Sequence, residues 1–220
     1  MNRISIIIII LTFSISSCKK KTLELPIIPI SGITAISNFS EIWVFYNSTE
    51  EKRKAVINKN NTISTTNWII NIDKRLTMKE VVPILEMIKT KRAKKSIHSA
   101  EGVKNYLSYA NEKDKNISLF SNDSIQYMIL DKSGFDDLSY HYNADYILKL
   151  NELNFEINDK AYEYNKFNKE LFDSLPTEKM HLFFHSNISY NRYLEIRIKV
   201  EKTTEGKFEI DPTEYMLHFQ

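Results

Sequence analysis

A chain of 220 residues with 42% hydrophobic and 12% aromatic content has ample material for a core and does not read as disordered. Four glycines, none in a phosphate-cradling loop, exclude the Gly-rich nucleotide motifs, and a single Cys excludes an internal disulfide. The formal net charge of +2 overstates the basicity of the body. Setting aside Arg3 and Lys19–Lys21, four of the 30 basic residues, leaves 26 against 28 acidic ones, interspersed, with no electrostatic footprint for nucleic acid.

Met1–Ser17 reads as a signal peptide: Arg3 supplies the positive end, and Ile4–Phe13 is an apolar run too short to span a bilayer comfortably. Ile15-Ser16-Ser17-Cys18 then resembles the lipobox of bacterial lipoproteins. That resemblance implies that Cys18 is lipidated, becomes the mature N-terminus and holds the protein to the inner or outer membrane, facing the periplasm or the cell surface. Residues 18–38 read as the lipidated Cys and a tether, because Lys19–Lys21, Pro26, Pro29 and Gly32 do not support a regular element. A free tether of that length would reach roughly 60 to 70 Å.

Glu41–Tyr46 and Asn67–Ile72 are predicted strands. Thr77 and Glu80 fit a capping box, followed by a helix with Val81, Val82, Leu85 and Ile88 on one face and Pro83 inside. A short helix is expected over about Ala100–Ala110, then strands at Ile117–Phe120 and Gln126–Leu130. The polar segment 131–146, with Gly134, reads as a linker. Beyond it come a strand at Phe155–Ile157, a turn at Asn158-Asp159, a helix over Lys166–Leu175 capped by Asn165, and a buried strand at Met180–Phe184. Leu194–Val200 alternates as a strand would, yet Ser189 in front of it reads as a helix cap, so a helix is expected from there to Gly206. Lys207–Ile210 and Thr213–Phe219 are expected closing strands.

The chain also echoes itself. Shifted by 87 positions, Asn67, Ile70, Asn71, Lys79, Thr90, His98, Ser99, Tyr106 and Leu107 fall on Asn154, Ile157, Asn158, Lys166, Thr177, His185, Ser186, Tyr193 and Leu194. With one residue inserted, Phe120, Asp123, Tyr127 and Met128 fall on Phe208, Asp211, Tyr215 and Met216. The expectation is an α+β protein of two tandem units, 39–130 and 147–220, with ββαβαββ order from an internal duplication. The repeat-equivalent His98 and His185, Tyr106 and Tyr193 are the candidate ligand or partner contacts, although Ser99 and Ser186 after the histidines also suit a plain turn.

FEINDKAY, the helix before Pro176, HLFFHSN, SYNRYLEI and EIDPTEYML together resemble the periplasmic domain of the ExbD/TolR biopolymer-transport proteins over about Asn154–Phe219. The resemblance implies an envelope-facing α+β domain that dimerises and touches transport or cell-wall partners. The proton-linked acidic residue of that family's membrane helix has no counterpart in the leader, so energy transduction is not implied.

No catalytic set is evident. His181 and His185 have metal-like spacing, but four residues along a strand place them about 13 Å apart, too far to share one ion. Asp123 and Asp211 read as turn-shaping, and no G-x-S-x-G elbow is present. The expectation is therefore a membrane-anchored, non-enzymatic lipoprotein without cofactor or metal, binding an envelope protein or the cell wall. The alternative is an envelope hydrolase or small-ligand-binding protein.

Overall fold

The computed structural model describes residues 22–47, 55–58, 62–93, 102–142, 145–176 and 178–219. Cys18, the leader and His98 lie outside them. Among the described residues the architecture is mixed α/β, with two mixed sheets and four α-helices. The first sheet holds β1 (Phe39–Tyr46), β2 (Ala55–Ile57), β3 (Asn67–Ile72), β4 (Asn105–Asn111) and β5 (Asn116–Ser121), in spatial order β2-β1-β3-β4-β5. Helix α1 (Met78–Ala93) connects β3 to β4, which run parallel.

The second sheet holds β6 (Gln126–Leu130), β7 (Tyr146–Leu150), β8 (Asn154–Ile157), β9 (Lys160–Glu163), β10 (Lys179–His185) and β11 (Glu209–Leu217), in order β6-β11-β10-β7-β8-β9. Helix α2 (Lys132–His141) follows β6, α3 (Lys169–Asp173) precedes β10, and α4 (Tyr190–Thr204) crosses from β10 to the parallel β11. Read from β8, the order β8-β7-β10-β11-β6 matches β2-β1-β3-β4-β5 position by position. Only the last strand differs in direction: β5 is antiparallel to β4, whereas β6 is parallel to β11.

The central strands β3 and β10 are buried on both faces, as parallel strands under helices are. Ile70, Leu85, Leu182 and Leu194 belong to one contiguous core that includes both sheets, α1 and α4. The other face of the second sheet is covered by α2, whose Phe135 and Leu138 pack on Phe183 and Leu217.

The two halves meet at a two-way joint. Met78 N–H donates to the Ile188 carbonyl (3.0 Å) and Tyr190 N–H donates to the Leu76 carbonyl (2.7 Å), with Thr77 opposite Ser189. These are the first residues of α1 and α4, so each helix start supplies an N–H to the loop before the other. Capping follows from the residues there. Glu80 reaches back to the Thr77 N–H (2.9 Å), and Ser189 Oγ accepts from Arg192 N–H (3.3 Å).

Several expectations change. In the 87-residue register, Tyr106 lies in β4 but Tyr193 in α4, and Asn67 lies in β3 but Asn154 in β8, so those identities do not mark equivalent positions. By element, β3-α1-β4 corresponds instead to β10-α4-β11. The helix expected before Ala110 is strand β4, whose buried pattern on both faces leaves no alternation to read. The linker 131–146 contains α2, capped by Asp131 Oδ1 accepting from Gly134 N–H (2.9 Å), and β6, assigned to the first unit, is an edge of the second sheet. Asn168, not Asn165, caps the shorter helix α3. The two closing strands are one, β11. Helix α4 does begin after Ser189, and its misleading alternation arises because it is buried nearly all round, Arg197 included.

The largest departure is the tether. Residues 22–36 form a strap built into the fold. β4 pairs with β3 only from Asn105 to Leu107, and at Ala110 the strap takes the vacated side: Ile28 N–H donates to the Ala110 carbonyl (2.9 Å) and Ala110 N–H to that of Pro26 (2.8 Å). Ile33 then pairs with Leu119 of β5, and Ile36 covers Ile69 and Tyr106. Gly32 is needed because a Cβ there would run into the Tyr109 hydroxyl and the Leu119 carbonyl.

Ile28 is fully buried in the main core, whereas Ile27 is 39% exposed. Ile28→Ala is therefore expected to cost about 2–4 kcal/mol in urea unfolding, and Ile27→Ala well under ~1 kcal/mol. Equal small effects would mean that the strap is not part of the cooperative fold.

Candidate functional site

The most developed polar site is assembled on the α2 side of the second sheet. β10 and β11 stay in register except between Met180 and Leu182, where three residues of β11, Asp211 to Thr213, stand opposite His181. Pro212 sits in this irregularity, where the missing N–H is tolerated. The bulge turns Asp211 back onto its neighbour strand, as bulges commonly re-aim side chains. Asp145, just before β7, closes from the other side.

His181 is 1% exposed, and its Nε2–H donates to Asp145 Oδ2 (2.8 Å). Its Nδ1 lies 3.2 Å from Asp211 Oδ2, off the line of a good hydrogen bond, so this second contact is mainly electrostatic. Tyr142 stacks on the imidazole at 3.6 Å and 7°, and its hydroxyl meets that of Tyr215 at 2.8 Å. Lys179 Nζ pairs with Asp211 Oδ2 at 3.0 Å. Burial alone would raise the Asp211 carboxyl, but the Thr213 N–H, Lys179 and His181 outweigh it and hold it below the ordinary carboxylate range. One imidazole nitrogen is hydrogen-bonded to a carboxylate, the other is buried beside a second one, and one ring face is covered. The cluster thus ties β7, β10 and β11 together and does not present the ring to a substrate.

Asp145 also lines a cleft of about 590 Å³ between α2 and the β7–β8 side, together with Phe135, Tyr142, Ile147, Lys149 and Asp159. Lys149 bridges Glu156 (3.4 Å) and Asp159 (2.6 Å) there. Acidic and aromatic walls of this kind suit a small cationic or amphipathic ligand.

A second polar cluster is fully enclosed. Glu214 of β11 accepts from Tyr193 Oη–H (2.6 Å) and from Arg197 Nε–H (2.6 Å) of α4. The Tyr193 hydroxyl meets that of Tyr127 on β6 (3.1 Å), which donates to Asn122 (2.8 Å). Burial pushes the Glu214 carboxyl up, opposed by Arg197, and pushes the Tyr127 and Tyr193 hydroxyls up. Lys89 of α1 stands 5.3 Å over Tyr127, so residues from both halves enter the network. It is a structural core.

These placements sort the candidate contacts. Tyr193 is wholly buried in the Glu214 cluster and cannot touch a partner. Tyr106 is buried under Ile36. His185 is half-buried at the end of β10, its Nε2–H donating to the Phe219 carbonyl (3.0 Å), and it lines a cleft; His98 lies outside the described residues. His181 and His185 have separate partners, as residues four apart on a strand do. Asp145 and Tyr142 were not singled out by sequence; they lie 36 and 39 positions before His181 with no shared motif. No group of three or more His, Cys, Asp or Glu side chains among the described residues could hold a metal ion.

No family model, curated protein or solved structure matches this chain.

The lowered Asp211 pKa fixes a sign. Its contribution to stability is present above the unfolded value near 3.8 and is lost as pH falls through the folded value. Asp211→Asn should therefore lower the urea midpoint at pH 7, and the difference from wild type should narrow as pH falls below 3.8. A difference that stays constant with pH would remove the Asp211 charge from the account.

Proposed function

We propose that the chain is a lipid-anchored cell-envelope protein that acts as a non-catalytic binding module for a macromolecular partner, held close to its membrane. The lipobox-like Ile15-Ser16-Ser17-Cys18 supplies the anchor. The observation that carries the reading is the docked strap. Among the described residues, Glu24 near the start of the strap sets its carboxylate against Lys74 and Arg75 at 3.2 Å each. Five residues, 19–23, separate it from Cys18, a reach of at most about 20 Å, so the partner must itself be at or near the membrane surface.

The two units are read as a duplication in the register β3-α1-β4 on β10-α4-β11. The ExbD/TolR resemblance implies domains that pair, and the two-way joint between helix starts is the contact that a pair fused into one chain would make. Sheet edges then indicate where a partner binds. β2 is three residues long, β5 carries the strap at Leu119, and β9 presents Lys160 and Glu163. β6 instead exposes Met128 (46%) and Ile129 (59%) at an edge with no strand beyond it among the described residues. Such an edge suits an added strand with apolar contacts. The small-ligand reading is favoured only by the α2 cleft.

The test combines two measurements in cells. Mass spectrometry of the mature N-terminus is expected to find lipidated Cys18. A photoreactive residue at Ile129 is expected to crosslink an envelope protein or cell-wall fragment, and one at Lys160 is not. A chain beginning at Met1 with unmodified Cys18 would overturn the anchor. Equal crosslinking at both positions, or turnover of a small molecule by the purified protein, would overturn the binding role.

A further inference from the structure

The strap fixes more than distance, because it leaves the fold at one particular end. Glu24 N–H donates to Asp73 Oδ2 (3.2 Å), and Lys74 N–H donates to the Glu24 carbonyl (2.8 Å), beside the ion pairs to Lys74 and Arg75. Ile27 N–H donates to Asn191 Oδ1 (2.9 Å). The strap therefore enters at the loops that follow β3 and β10, next to the joint between α1 and α4.

The same end carries a cleft of about 290 Å³ lined by Lys79, His185, Ser186, Asn187, His218 and Phe219. Lys79, Asn187 and His218 are exposed. The cleft is built by the fold: Lys79 N–H donates to the Ser186 carbonyl (2.7 Å), and Ser186 Oγ meets His218 Nδ1 at 3.2 Å. Neighbouring acidic groups are engaged by local donors, although Glu152 itself is exposed. Glu80 bonds Thr77, and Glu152 accepts from Ser189 N–H (2.9 Å) and from its hydroxyl (3.1 Å). Beside Glu152, Leu153 stands 83% exposed. Lys19–Lys21 occupy the few positions between Cys18 and this end.

We propose that this end is a membrane-docking face, in which the Lys79–His218 cleft takes the phosphate of an anionic phospholipid headgroup and Leu153 enters the interface. The proposal rests on the reading that Cys18 carries the anchor. Three features agree on a lipid surface. The leash keeps this end within about 20 Å of the anchor. The Lys79 ammonium, the Asn187 amide and the His218 imidazole line an open cleft, a donor set that suits a phosphate, while His185 and Ser186 are hydrogen-bonded within its wall. An exposed Leu accompanies the lysines, the pairing that favours interfacial binding. The consequence is orientation: β6 is presented from a body whose Glu24 end faces the bilayer, not from a freely tumbling one.

The lipidated chain, its N-terminal mass verified, is reconstituted into vesicles of neutral phosphatidylcholine or of phosphatidylcholine with about one third phosphatidylglycerol. Amide hydrogen exchange should slow around 74–79, 151–153 and 186–191 on the anionic vesicles alone. In parallel, the unlipidated chain from residue 18 with Cys18→Ser keeps every described residue. It should sediment with anionic vesicles and be released by salt. Lys79→Glu should weaken that binding about tenfold, Leu153→Asp should weaken it, and Lys160→Glu should leave it unchanged, with melting curves confirming that each variant folds. Equal binding to neutral and anionic vesicles overturns the proposal. So does a site that binds inorganic phosphate, seen as shifts at Lys79 and His218, while vesicles show no effect. An unlipidated N-terminus in cells would sink the anchor reading, whereas loss of vesicle binding by the Cys18→Ser chain would sink the docking face.

Discussion

Two backbone hydrogen bonds govern how the halves are put together: Met78 to the Ile188 carbonyl and Tyr190 to the Leu76 carbonyl. The first N–H groups of any helix lack partners inside it. Here each helix start finds one in the loop before the other helix, so neither strand-to-helix loop can shift alone. Each such bond contributes only about 1 kcal/mol. Their importance is that they set the approach of α1 and α4, and hence whether one core or two is formed. The core is one, continuous from Ile70 and Leu85 to Leu182 and Leu194. The Glu214 cluster is compatible with this arrangement only because its partners arrive together. A buried carboxylate needs Arg197 and Tyr193 from α4, and Tyr127 from β6 extends the chain to Asn122. Separated, it would be a liability.

The joint also explains why the strap docks where it does. The loops after β3 and β10 lie side by side, and the first of them together with the start of α4 offers Asp73, Lys74, Arg75 and Asn191 to residues 24–27. Ile28 then enters the gap left as β3 and β4 part. An anchor at Cys18 thereby becomes a constraint on the whole body, and function is tied to a thin layer next to the membrane. The His181 cluster, by contrast, belongs to the scaffold, with its imidazole held between Asp145 and Asp211.

Much of the fold was legible where local chemistry decides. β3 and β6 fall where branched and aromatic runs predict them, and Glu80 and Ser189 announce both principal helices. Asn158 and Asp159 adopt the positive φ of 45° and 66° that a two-residue hairpin requires. What was not legible depends on distant partners. β4 looked helical because a strand buried on both faces has no alternation. Pro26, Pro29 and Gly32 looked like a tether, since nothing local reveals that Ala110 and Leu119 have open backbone groups waiting. α2 hid in a polar segment because none of its residues is fully buried. The Asn- and Ile-rich identities at 87 residues aligned non-equivalent strands, while the register that puts Leu76 on Ile188 and Thr77 on Ser189 carries one identity over 67–93, Ile84 with Ile196, and otherwise only similar apolar pairs such as Val82 with Leu194. Of the candidate contacts among the described residues, Tyr106 and Tyr193 are buried and His185 lines a cleft.

The central claim is that one joint makes two sheets a single cooperative body. Native-state hydrogen exchange in increasing denaturant measures this directly, because it reads the opening of each strand separately. The slowest amides of β3 (Trp68–Ile72) and β10 (Met180–Phe184) are predicted to open with the same free energy, within about 1 kcal/mol, and with the same denaturant slope. Exchange of one strand several kcal/mol below the other, with a smaller slope, would mean two independent domains and would contradict the account.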